Sequence, residues 1–94
     1  MIGDKVTFRL HALQRMFQRR ISTDEVKHVL QTGEAIEQYP DDTPYPSCLI
    51  LGRTQAGRPL HVVAAYNATE DETIIVTVYE PDPQQWDETV RKRL

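Results

Sequence analysis

Three side chains of this 94-residue chain that together could support metal-free acid–base chemistry stand at informative places: His61, Tyr79 and Arg53. His61 lies in the run Leu60–Tyr66 (LHVVAAY), Tyr79 ends the run Thr73–Tyr79 (TIIVTVY), and Arg53 ends the run Ser47–Arg53 (SCLILGR). All three runs are dense in strand-favouring residues. On neighbouring strands with a common face, they would give one patch a guanidinium, an imidazole and a phenol. That combination suits cleavage of an RNA backbone: the 2′-hydroxyl loses a proton as it attacks the neighbouring phosphorus, the leaving 5′-oxygen gains one, and the phosphorane-like transition state gathers negative charge. An imidazole with an ordinary pKa of about 6.5 can act as base or acid, a contribution of roughly 10²- to 10⁴-fold. A fixed guanidinium at the developing oxyanion adds on the order of 10²-fold. Tyr79 would orient the sugar or stack on a base. The same polar patch reads equally as a binding surface or a solvated one.

A second set, His11, Arg15 and Arg19, recurs every four residues in a helical stretch that contains no acid. Such a stripe can hold phosphates; it can also be a solvated flank whose arginine stems cover the edge of a core. Charge is unevenly placed. The chain as a whole carries −3, but residues 1–33 hold six basic and three acidic groups, and the remainder five basic and eleven acidic. An acidic total argues against a protein that merely coats nucleic acid, and the basic end is where a phosphate would dock. There is no glycine-rich phosphate loop, no histidine pair at helical spacing and no nucleophile elbow. No metal or cofactor is expected. Cys48 is the only cysteine, which precludes an intrachain disulfide and reads as a small buried strand residue. His28 reads as an exposed helix residue.

The elements that must position these groups follow from periodicity. Leu10, Leu13, Met16 and Phe17 mark the apolar face of a first helix. Ser22 and Glu25 fit a capping box opening a second helix, Ile21 and Val26 a hydrophobic staple; Val26, Val29 and Leu30 supply its buried face, and Gly33 a left-handed stop. Glu34–Tyr39 reads as a strand, the segment PDDTPYPS with Pro40, Pro44 and Pro46 as a loop, Ser47–Arg53 as the next strand, and QAGR as a turn with Gly57 at positive φ. The acidic NATEDE joins the last two runs into a hairpin. Simple alternation puts Leu60, Val62 and Ala64 with Ile74, Val76 and Val78 on one face, and His61, Val63 and Ala65 with Ile75, Thr77 and Tyr79 on the other. Lys5–Leu10 alternates weakly, as an edge strand or an extended lead-in. Asp82, Pro83 and Gln85 read as the start of a C-terminal helix bearing Trp86, Val90 and Leu94. The expected fold is therefore a single α+β domain over residues 1–94: an N-terminal helical hairpin, a four-stranded antiparallel meander and a C-terminal helix, with the helices on one sheet face. No segment has the apolar length of a signal peptide or membrane span, so a soluble, cytoplasmic protein is expected.

HALQRMFQRRIS, YPDDTPYPS, GRPLHVV and TVYEPDPQQW, in this order from about Leu10 to Trp86, resemble the small bacterial family called domain of unknown function 4258. That family looks like a distant member of the RelE-type toxin fold, which includes barnase-like ribonucleases. The resemblance implies a metal-independent ribonuclease toxin of a type II toxin–antitoxin pair, acting on RNA, ribosome-bound mRNA included, and silenced by a cognate antitoxin. The family pattern includes His11, Arg15 and Arg19, the loop residues Tyr45, Pro46 and Ser47, and His61 and Tyr79. The expected assignment is His61, Tyr79 and Arg53 for catalysis, with His11, Arg15 and Arg19 on the RNA phosphates. The rival is a non-catalytic protein-binding module using the same sheet face or the Pro/Tyr loop; an enzyme acting on a small phosphorylated ligand is a third reading.

Overall fold

A computed structural model describes residues 5–82. The elements are β1 (Lys5–Phe8), α1 (Leu10–Gln18), α2 (Thr23–Thr32), β2 (Glu34–Tyr39), β3 (Ser47–Arg53), β4 (Pro59–Asn67) and β5 (Glu72–Tyr79). They form one sheet in the order β1-β5-β4-β3-β2. The expected four-stranded antiparallel meander is thus corrected to a five-stranded mixed sheet. β2 to β5 do run as an antiparallel meander, but β1 joins its edge in parallel with β5, Lys5 opposite Glu72 and Phe8 opposite Ile75. The partner of β1 lies more than sixty residues ahead, so no local pattern marks the pairing. Thr7 donates its hydroxyl hydrogen to Glu72, and Lys5 lies 3.7 Å from the same carboxylate. The expected C-terminal helix falls on residues 83–94, outside the described residues.

Both helices pack on one face of the sheet. Ala12, Met16, Ile21, Val26, Val29 and Leu30 meet Cys48, Ile50, Leu60, Val62, Ala64, Ile75 and Val78, with Val6 and Phe8 at the margin. The pairing of β4 with β5 departs from simple alternation. His61, Val62 and Val63 face Tyr79, Val78 and Thr77, but Ala64 faces Ile75, so Val76 is an extra residue in the ladder. A bulge of one residue reverses the faces beyond it. Ile75, expected on the far face, is fully buried beneath the helices, and Ile74 moves to the side of Ala65.

The rotation of α1 also differs from expectation. Its buried residues are Ala12 and Met16, whereas Leu10, Leu13 and Phe17 are 71%, 38% and 86% exposed. At about 100° per residue, Ala12, Met16 and Arg19 share one side of the helix. The Arg19 guanidinium donates to the Val78 carbonyl at 2.7 Å, so that side is held against β5. α1 ends in a Schellman arrangement, Ile21 N–H donating to Met16 O and Arg20 N–H to Phe17 O, with Arg20 at φ 57° where glycine is the usual residue. The Arg58 side chain, from the start of β4, donates to the Arg20 and Arg19 carbonyls at 2.9 and 2.8 Å.

α2 opens as its sequence indicates, the Glu25 N–H donating to Ser22 Oγ at 3.1 Å and the Ser22 N–H to Glu25 Oε1 at 2.9 Å. Its end is different. Gly33 is extended, at φ −82° and ψ −179°, not left-handed. Its need for hydrogen at Cα is one of space: a Cβ there would stand 2.5 Å from Leu51 O and 2.6 Å from Val29 O. Gly57 does take positive φ, at 87°, in open space. Gly33→Ala is accordingly expected to lower unfolding stability by about 2 kcal/mol or more, since two backbone carbonyls must give way, against about 1 kcal/mol for Gly57→Ala, where the cost is only left-handed backbone. Urea melts of the two variants measure the contrast.

Candidate functional site

Leu51, His61 and Tyr79 lie in one row across β3, β4 and β5, and all point to the face opposite the helices. The His61 and Tyr79 rings meet edge to face at 72°, centroids 5.3 Å apart, with Nδ1 and the phenol oxygen 3.3 Å from each other. Arg53 lies one pleat beyond Leu51 on the same face, diagonal to His61 at a backbone separation of about 7–8 Å. It is exposed, and its guanidinium donates to the Gly57 carbonyl at 3.3 Å across the β3–β4 turn. The expected trio therefore shares a face. The centre of that face is not open to water, however: His61 and Leu49 have no exposure, Leu51 has 7%, and Tyr79 is partly buried.

The second expected set stands apart from the first. α1 packs on β5 from the helix side, so His11 and Arg15, both exposed, are separated from His61 by the thickness of the sheet. Arg19 is committed to the Val78 carbonyl, adjacent in the chain to Tyr79. A single bound RNA would have to pass around the end of β5 to meet both groups.

Two features escaped sequence reading. Arg58 closes the end of α1 and stands 3.6 Å from Glu80, so it joins the helix terminus to both β4 and the residue after β5. Cations near a helix C-terminus offset its dipole, but this one comes from 38 residues further along, with nothing local to signal it. The other feature is a cleft of about 90 Å³ at the opposite end of the far face, where Arg9 approaches Tyr45 and Ser47 over Val63. The loop there is tightly held: Asn67 donates to the Tyr45 hydroxyl at 3.2 Å, Ser47 donates to Asp42, and the Tyr66 N–H donates to the Pro46 carbonyl at 3.0 Å; the Thr43–Pro44 peptide is cis. Tyr45 and Ser47 thus hold the loop against the sheet.

Cys48 is 5% exposed on the helix side and borders an apolar cavity of about 240 Å³ between Leu30, Ile50 and Ala64. Burial pushes its thiol above the usual cysteine range, so it stays protonated and unreactive at neutral pH. Among the described residues no three His, Cys, Asp or Glu side chains gather as a metal site would require. Nor is any helix there long and apolar enough to cross a membrane.

Among the described residues, two helices pack on one side of a mixed five-stranded sheet and a histidine–tyrosine pair lies on the side opposite them, which defines a small α+β domain. The family model described as Domain of unknown function (DUF4258) matches residues 8–80, and the chain belongs to that family. No curated protein and no solved structure matches it significantly.

The Cys48 shift fixes the sign of a pH effect. The folded state holds the thiol proton more tightly than the unfolded chain, so this contribution is complete below the unfolded pKa of about 9 and is lost as pH rises through the higher folded value. Denaturant melts between pH 8 and pH 10 should show stability falling with pH in the wild type, with a shallower fall in Cys48→Ala.

Proposed function

We propose that the chain is a ribonuclease of the toxin kind, cleaving RNA by acid–base catalysis on the sheet face opposite α1 and α2 and silenced by a partner protein. The observation that carries this reading is the row of His61 and Tyr79 with Arg53 one pleat away, three groups suited to the proton transfers and charge development of 2′-hydroxyl attack. The resemblance to a family that looks like a distant relative of RelE-type toxins supports the same reading. His61 would serve as base or acid, Tyr79 would orient it and the sugar, and Arg53 would meet the developing oxyanion. His11 and Arg15 would hold phosphates of a strand wrapping the end of the sheet. Because His61 has no solvent contact here, catalysis requires local opening of the face, by RNA or by the ribosome that carries it.

A second reading, a protein-binding module without catalysis, is favoured by that same burial: a fully buried imidazole beside a tyrosine hydroxyl also serves as a polar pair within the packed sheet face.

Inducible expression in a bacterial host separates the two. Under the ribonuclease reading, wild-type chain arrests growth and shortens mRNA. Arg53→Ala, on an exposed side chain, should cut cleavage by about 10²-fold with unchanged stability. Tyr79→Phe and His61→Gln should lose cleavage while their far-UV circular dichroism stays native. No shortening of RNA by soluble wild-type chain, in cells or with purified ribosomes, would refute it. His61→Gln that merely melts at lower denaturant would assign the imidazole to structure.

A further inference from the structure

α1 has three distinct sides. Ala12 and Met16 face the sheet; His11 and Arg15 form one exposed flank; Leu10, Leu13 and Phe17 form the other, with Gln14 and Gln18 along the crest between them. The apolar flank is the surprise. Phe17 is 86% exposed and Leu10 71%, on a helix whose own core contact consists of one alanine and one methionine. The surface along this side, bordered by Leu13, Gln14, Phe17 and Gln18, is shallow and open. The spacing i, i+3, i+7 is that of a helix presenting anchors to a second helix. A contiguous exposed apolar strip of this kind marks an interaction surface rather than a scatter of single residues.

Charge decides between occupants. From Arg9 to Ile21 the chain carries four arginines and no carboxylate, and the next acid is Asp24. A second copy would bring an identical cationic helix against the first, which like-charge repulsion opposes. A partner with the opposite sign meets an attractive field along the whole helix. We infer that Leu10, Leu13 and Phe17 on α1 form the docking surface for an acidic amphipathic helix of another protein. This goes beyond the sheet-face reading and holds whether or not that face cleaves RNA, because the two surfaces lie on opposite sides of the sheet.

The test uses the full chain and two synthetic helical peptides with the same leucine stripe, one flanked by glutamates and one by lysines, followed by fluorescence anisotropy. The glutamate peptide should bind, more weakly as salt is raised, and the lysine peptide should bind at least about tenfold more weakly. Phe17→Glu and Leu10→Ser, at exposed positions that leave the fold intact, should each weaken the glutamate peptide by about tenfold or more. Equal affinity for both peptides, binding of neither, or binding unaffected by Phe17→Glu would overturn the inference. So would concentration-dependent self-association of the free chain that Phe17→Glu abolishes, which would assign the strip to a second copy. RNA cleavage by Phe17→Glu, measured in parallel, reads the sheet face separately.

Discussion

β4 and β5 pair along almost their whole lengths, and the one unpaired residue in that ladder, Val76, decides which side chains reach the helices. On the Tyr79 side of the bulge, alternation holds and puts His61 and Tyr79 together on the face opposite the helices. On the other side it is reversed, turning Ile75 inward beneath the helices beside Ala64. Without the extra residue, Ile74 would point inward and fully buried Ile75 would turn to the far face. One local insertion therefore fixes both the core composition and the placement of the histidine–tyrosine pair.

The guanidinium groups show how a charged sequence can be used for architecture. Arg19 is spent on the Val78 carbonyl and Arg58 on the carbonyls that end α1. The Arg58 bonds satisfy acceptors that a helix terminus leaves without partners, and the Arg19 bond ties the helix to a carbonyl of β5. They also set the rotation of α1. With the Arg19 side held to β5, Ala12 and Met16 become the buried contact, and the larger apolar residues turn outward. Small Ala12 lets the helix approach closely, as Gly33 and Gly52 do where α2 and its exit cross β3.

The sheet separates two sets of groups that composition alone would merge. His61, Tyr79 and Arg53 lie on one side, His11 and Arg15 on the other, and only the end of β5, with Arg19 and Arg58 near Glu80, connects them. The far-face trio and the two exposed flanks of α1 therefore present separate surfaces.

What the sequence determined by itself is local. The capping box of Ser22 and Glu25, the buried face of Val26, Val29 and Leu30, the positive φ of Gly57 and the strand identity of β2 to β5 follow from neighbours a few residues away. A common face for His61 and Tyr79 was expected from alternation, but their direct opposition comes from the Val76 bulge, since the register set at the turn by Tyr66 and Thr73 would bring His61 against Val78. Only tertiary structure decided the rest. The parallel addition of β1, the Val76 bulge, the outward rotation of Leu10, Leu13 and Phe17, the reach of Arg58 to α1 and the burial of His61 each depend on contacts between distant segments. Periodicity shows that a helix or strand has an apolar side, but several apolar sides compete for one sheet. Packing geometry and the carbonyls needing donors choose among them.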